Sequence, residues 1–169
     1  MPLRAVYASP LSRARETAVV VAEPRGLSIV VHDGLREIGV GEWEGLLVNE
    51  IEQRYAQVLR EWWDRPHLTR IPGGETLDEL RERGMRAVGE IRTCFPDDAV
   101  AVVAHGGVNK AILLTALGAP LSSYWRIRQA NTCVNVLEYD GDHTRVVILN
   151  ATARGPVNGA ESPPSPETW

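Results

Sequence analysis

Three short apolar runs have the length and composition of buried strands. Residues 5–8 are Ala-Val-Tyr-Ala, and residues 27–31 end in three consecutive β-branched residues, which favour strands. Residues 99–104 are almost wholly apolar, which predicts a strand covered on both faces. The pattern thus supplies strands that are separated in sequence by longer, more polar segments.

The segments between these runs have features of helices. Ser9-Pro10 combines a favoured N-cap residue with proline at the first helical position, so we predict a helix from there to about Glu23. Gly106-Gly107 are expected to break the chain after the third strand. Further helices are predicted over residues 46–63, 76–94 and 108–117.

The remaining segments lack regular periodicity. Residues 34–45 hold four glycines and are predicted to be a loop, and Pro72-Gly73-Gly74 is predicted to be a turn. Asp140-Gly141-Asp142 predicts a hairpin turn between strands at 132–139 and 144–149.

Strands that alternate with helices predict an α/β layer fold with a largely parallel sheet. We expect one domain over residues 1–153 and a disordered Pro/Ser/Gly-rich tail over residues 154–169. Ligands of such sheets bind at the carboxyl ends of the strands. That rule selects the segment from Ser9 to Arg13, the loop around Glu37, and His105-Gly106-Gly107 as candidate site segments.

Composition narrows the class of protein. A chain of 169 residues with 44% hydrophobic and 24% charged residues has the size and balance of one soluble globular domain. The net charge of -4 argues against a broad nucleic-acid surface, and no apolar run reaches the roughly 18 residues of a membrane span. Cys94 and Cys133 are far apart, which makes a disulfide scaffold or a thiolate zinc site improbable. We expect a cytoplasmic protein with no nucleic-acid or membrane partner.

His105 and two arginines are the first candidates for chemistry. His105 follows a buried strand and precedes a predicted helix, where it could bind a phosphate or act as a nucleophile or base, although a histidine that merely ends a strand is the alternative. Arg13 and Arg15 are two residues apart on a helix and cannot share a face, so at most one points at the site. Surface arginine is the alternative for both.

A carboxyl group near a leaving oxygen can protonate it. Glu37 is the candidate acid, and Glu42 and Glu44 are close competitors that the sequence alone does not separate. Trp43 and Ser9 are candidates for contact with a substrate, with packing in the core as the alternative for Trp43.

Five blocks of sequence, in order, resemble the histidine phosphatase superfamily, also called the phosphoglycerate mutase-like family. They are ASPLSRARETA at 8–18, LREIGVGEWEG at 35–45, PGGET at 72–76, VVAHGG at 102–107 and NTCVNVL at 131–137. The resemblance implies a three-layer α/β/α fold around a mostly parallel sheet.

The resemblance also implies a mechanism. A histidine nucleophile would take the phosphoryl group as phosphohistidine, and a carboxylic acid would protonate the leaving alcohol. By motif, Arg13 is the phosphate clamp, Glu37 the general acid and His105 the second pocket histidine, with Gly106 beside the phosphate. No metal and no cofactor are expected, because arginine and histidine supply the positive charge.

One block of the family has no counterpart in the sequence. The family's first strand ends in Arg-His-Gly and carries the nucleophile, whereas the 169 residues contain no such string. We therefore expect the family's first strand and helix to be missing from this chain. The nucleophile is then encoded in a longer form of the protein, donated by a partner strand or a second copy of the chain, or absent from a non-catalytic phosphate-binding paralogue.

The short stretch between the Glu37 loop and Gly73-Gly74 resembles the phosphatase branch of the family. It implies hydrolysis of a small phosphomonoester, and mutase-type phosphoryl transfer is the alternative.

Overall fold

A computed structural model describes residues 2–141 and 143–153, so the predicted tail at 154–169 lies outside the described residues. In chain order the strands and helices are β1 (Leu3–Ala8), α1 (Ser12–Ala22), β2 (Ile29–Val31), α2 (Val48–Asp64), α3 (Leu77–Cys94), β3 (Ala99–Val103), α4 (Gly106–Ala116), β4 (Val134–Asp140) and β5 (His143–Ala151). Short 3₁₀ turns connect several of them. No helix in the described ranges is long and apolar enough to cross a bilayer.

The described residues form two compact units. One contains the chain up to Ile38 together with Glu79–Ile112, and the other contains Gly39–Asp78 together with the described residues from Leu113 onward. The first unit holds a three-stranded parallel sheet in the order β2-β1-β3. The predicted α/β class with a parallel sheet is confirmed.

The core of the first unit lies on both faces of β1. Because strand side chains alternate, Ala5 and Tyr7 pack into a cluster with residues of α3, whereas Val6 and Ala8 pack against α1. The first unit therefore has a helix on each side of its sheet, and the carboxyl ends of its strands lie together at one edge.

The structure corrects the prediction that the third strand is covered on both faces. β3 is only partly buried, and Val102 is 41% exposed. β3 lies at the edge of the described sheet, with β1 as its strand neighbour. An apolar run indicates that a strand can pack against other elements on both faces. It does not show whether such elements are present beside it.

Two predicted helix starts are also wrong. α1 begins at Ser12 rather than Pro10, and its N-cap is Leu11, which makes no side-chain bond, rather than Ser9. α4 begins at Gly106, so Gly106-Gly107 form its first turn instead of breaking the chain before it. Ser9 does not cap α1 because its side chain pairs with His105.

The second unit contains the predicted hairpin, in which β4 pairs antiparallel with β5. Its interior is rich in aromatic side chains, since Trp43 and Trp62 have no exposed surface. The Trp62 ring packs edge-on against Trp125, whose Nε1–H donates to the Trp62 carbonyl at 3.0 Å. These rings stabilise the second unit.

Candidate active site

Ser9 and His105 meet because they follow two neighbouring parallel strands. The Ser9 N–H donates to the Val103 carbonyl at 2.9 Å, which extends the pairing of β1 with β3 by one residue. His105 Nε2 then lies 2.8 Å from Ser9 Oγ. The two side chains thus form a direct pair at the carboxyl ends of the strands, where ligands of parallel sheets bind.

This pair is buried. Ser9 has no exposed surface and His105 is 7% exposed. Ser9 Oγ also accepts the Leu11 N–H at 3.3 Å, which explains why Ser9 does not cap α1. Burial lowers the pKa of His105, the Glu37 carboxylate opposes that shift, and the charges of Arg13 and Arg83 add to it. The imidazole is therefore neutral at pH 7.

Glu37 binds the first turn of α4. Its Oε2 accepts the Gly107 N–H at 3.0 Å, and its Oε1 accepts the N–H groups of Val108 at 3.2 Å and Ile38 at 2.8 Å. The first-turn N–H groups of a helix have no partner within the helix, and its positive end favours an anion. Glu37 thus takes two backbone donors next to Gly106, at a helix end that would otherwise favour an anionic ligand.

Arg13 is exposed on the first turn of α1, yet its charge helps to lower the pKa of His105. Arg15 is exposed as well and is not among the charges that shift this pKa. Since the sequence allowed at most one of the two to point at the site, the structure favours Arg13.

The competing glutamates and Trp43 belong to the second unit. Glu42 Oε2 accepts the hydroxyl of Tyr55 at 2.7 Å, and Glu44 is exposed. Glu37 is the glutamate that the structure brings to His105. Trp43 has no exposed surface, which favours core packing over contact with a substrate.

Two cationic residues near this cluster were not singled out from the sequence. Lys110, on α4, is partly buried; desolvation lowers its pKa and the Glu37 carboxylate opposes the shift. Arg83, on α3, donates to three backbone carbonyls of the Glu37 loop. Lys110 lies three residues after Gly107 and so shares its helix face, a spacing that could have identified it. Nothing local in the sequence indicates the role of Arg83.

The site's charged groups are mainly cationic. In the part of the chain that the structure describes, no three His, Cys, Asp or Glu side chains are grouped as metal ligands would be. The positive charges that act on His105 are those of Arg13 and Arg83, and Lys110 interacts with the Glu37 carboxylate. The arrangement can hold an oxyanion and move a proton.

Comparison of the sequence with known proteins identifies one family. The sequence model of the histidine phosphatase superfamily (branch 1) matches residues 1–152. Phosphoserine phosphatase 1 of Hydrogenobacter thermophilus is 31% identical over 150 residues, which cover 89% of this chain and 71% of the relative.

Two solved structures are similar in fold. YhfR of Bacillus stearothermophilus superposes with a TM-score of 0.87 at 31% identity, covering 91% of this chain and 77% of YhfR. A mycobacterial glucosyl-3-phosphoglycerate phosphatase superposes with a TM-score of 0.80 at 26% identity, covering 89% of this chain and 79% of that protein.

Proposed function

The chain belongs to the histidine phosphatase superfamily (branch 1), and on that premise we propose that its site serves the hydrolysis of a small phosphomonoester. In the reaction, water replaces the alcohol on phosphorus, and the products are inorganic phosphate and the free alcohol. The observation that carries the proposal is the meeting of His105, Ser9 and Glu37 at one end of the parallel sheet.

The charges around this cluster suit a phosphoryl group. Arg13 is exposed and close enough to act on His105, so its guanidinium is free to reach a bound anion. His105 is buried and neutral, and a neutral imidazole can donate one hydrogen bond to a phosphoryl oxygen. We assign the phosphate contacts to Arg13 and His105, with Gly106 beside them.

Glu37 is assigned the role of general acid toward the leaving oxygen. Its carboxylate acts on the pKa of His105 and is held in place by backbone N–H groups. A fixed carboxyl group that carries a proton can deliver it to the departing alcohol, which is what hydrolysis of an alkyl phosphate needs.

The attacking imidazole is proposed to come from residues outside this sequence. Of the four histidines in the chain, His105 is the one at the site, and it is already paired with Ser9. In the sheet formed by the described residues, β3 is the outer strand next to β1, and this supports a strand-borne nucleophile. A parallel strand added beside β3 would have its carboxyl end at the same end of the sheet as His105. A preceding segment, a second copy or a strand-donating partner could supply it.

The names of similar proteins suggest the class of substrate. One relative is named a phosphoserine phosphatase, and one structural neighbour a glucosyl-3-phosphoglycerate phosphatase. Both names describe small phosphorylated metabolites with a carboxylate. We propose a substrate of this class, handled by a cytoplasmic enzyme.

Phosphate binding by the 169-residue chain tests the site directly. We expect calorimetry to detect binding of inorganic phosphate, and Arg13→Met to weaken it about tenfold or more, as for loss of a charge-assisted contact. Arg15→Met, on the same helix, is the matched control and should leave the affinity unchanged. Equal loss in both variants, or no binding by the unmodified chain, would argue against the assigned pocket.

Turnover is tested in a form that also carries an Arg-His-Gly strand. We expect release of phosphate from phosphoserine or a phosphoglycerate ester, and a loss of about 100-fold or more with His105→Ala. Phosphate binding without any hydrolysis in that form would instead identify a non-catalytic binding module.

A further inference from the structure

We propose that Arg83 is a positioning residue for Glu37. It holds the backbone of the Glu37 loop on α3, so that the carboxylate reaches the first turn of α4 beside His105. The consequence for catalysis rests on the proposed function, whereas the positioning itself can be tested without turnover.

The guanidinium of Arg83 binds three backbone carbonyls within four residues of the loop. Its Nη1 donates to the carbonyls of Gly34 and Arg36, each at 2.9 Å, and its Nη2 donates to the carbonyl of Glu37 at 3.0 Å. Carbonyls of a loop lack the partners that a helix or sheet would give them. A planar fork of N–H donors on a partly buried arginine satisfies all three at once.

The loop also fits closely against α3. A Cβ on Gly34 would lie 2.9 Å from the Cβ of Ala87 and 3.0 Å from the carbonyl of Arg83, closer than side-chain atoms normally pack. The Gly34 N–H donates to Nδ1 of His32 at 3.0 Å, and Nε2 of His32 lies 3.0 Å from the Glu90 carboxylate on the same helix. The helix therefore anchors the start of the loop by packing and by hydrogen bonds.

Glu37 is consequently held at both ends. Arg83 binds its backbone carbonyl from α3, while Gly107 and Val108 bind its carboxylate from α4. Without the arginine, three carbonyls lose these donors, and the residues around Glu37 lose their hydrogen bonds to α3. The carboxylate would then sample positions away from the α4 turn, and a displacement of about 1 Å at a catalytic group can cost about 100-fold in rate.

The pKa of His105 gives a second readout. The Glu37 carboxylate raises this pKa and the charge of Arg83 lowers it, and the effect of Glu37 is the larger of the two. Displacement of Glu37 while a cation stays at position 83 should therefore lower the pKa of the imidazole, an effect that a residue with no link to Glu37 would not produce.

The test uses nuclear magnetic resonance on the 169-residue chain. The amide protons of Gly107 and Val108 report their bonds to Glu37, and their shifts should follow the titration of its carboxyl group. We expect Arg83→Met to abolish at least half of that pH-dependent shift. Glu37→Gln gives the signal of a lost carboxylate, and Arg86→Met removes an exposed arginine from the same helix as the matched control.

Arg83→Lys keeps the charge but cannot place donors on all three carbonyls, so it separates positioning from charge. It should reduce the amide response and lower the pKa of His105, because the Glu37 carboxylate moves away while the positive charge stays. Unchanged Gly107 and Val108 titrations in both Arg83 variants would overturn the proposal; should Arg83→Met fail to fold, Arg83→Lys alone decides.

Activity gives a further readout in a form that hydrolyses phosphomonoesters. Arg83→Met should lower kcat for alkyl phosphates by about 10- to 100-fold and change kcat for activated aryl phosphates much less, with KM nearly unchanged. If no form shows turnover, the proposed function fails while the amide titrations still decide the role of Arg83.

Discussion

At the residue scale, Glu37 shows how an internal carboxylate can occupy a helix N-terminus. The first turn of α4 has the backbone donors that an anionic ligand would use, but Gly107 and Val108 donate to Glu37 instead. In the proposed site the phosphoryl group would then be held mainly by side chains, with Arg13 and His105 as the proposed contacts. The helix end acts on the proposed acid and not directly on the substrate.

Substitution of the proposed acid should discriminate between leaving groups. In a form with turnover, Glu37→Gln should lower kcat for alkyl phosphates by about 100-fold or more and for activated aryl phosphates far less, because only the poor leaving group needs the proton. Steady-state kinetics on the two substrate classes measures the difference. Glu42→Gln, whose carboxylate binds Tyr55, is the control, and equal loss on both substrates would remove Glu37 from this role.

At the element scale, the loops of the second unit are joined by close backbone contact. Glu42 N–H donates to the Pro72 carbonyl at 2.9 Å, and Glu75 N–H donates to the Gly39 carbonyl at 2.8 Å. Gly41 lies between these bonds with φ of +54°, and a Cβ there would meet the backbone of Pro72, Gly73 and Gly74. The predicted glycine-rich loop thus packs closely against the Pro72-Gly73-Gly74 turn. A side chain at Gly41 would require that turn to move.

Replacement of Gly41 should therefore be costly. Gly41→Ala combines a strained positive φ with backbone overlap, and we expect it to lower the free energy of unfolding by about 3 kcal/mol or more. Gly45 also has a positive φ, of +77°, but its Cβ would meet nothing within 4 Å. Gly45→Ala should cost only about 1 kcal/mol. Urea unfolding of both variants measures the two losses of unfolding free energy. Equal losses would contradict the close backbone contact at Gly41.

At the scale of the whole molecule, a buried neutral histidine makes stability depend on pH. The pKa of His105 is lowered in the folded state, mainly by burial, so the unfolded chain binds a proton at a higher pH than the folded chain does. Between the lowered value and the ordinary value of about 6.5, the unfolded state carries more protons. His105 therefore stabilises the fold fully above that window, and its contribution is lost as the pH falls through it.

Removal of this imidazole should make the free energy of unfolding depend less steeply on pH. Free energies of unfolding measured between pH 5 and 7.5 should rise with pH more steeply for the unmodified chain than for His105→Asn. His143→Asn, which removes an exposed imidazole from β5, provides the reference. If the unfolding free energies of the unmodified chain and His105→Asn change with pH in parallel, the pKa of His105 is not lowered by folding.

The sequence by itself determined the class of fold and the segments of the site. Runs of apolar residues and their spacing depend on local geometry, so they identified the parallel strands, the helices and the β4–β5 hairpin. The order of five motifs identified the family, and the strand-end rule selected the segments that hold Ser9, Glu37 and His105.

Tertiary structure decided which side chains within those segments meet. Ser9 and His105 are 96 positions apart, and Glu37 and Gly107 are 70 apart, so no local pattern could pair them. The same holds for Arg83, whose three carbonyl partners lie 46 to 49 positions away. Local periodicity specifies the face that an element buries, but hydrogen bonds between distant segments depend on how those faces pack.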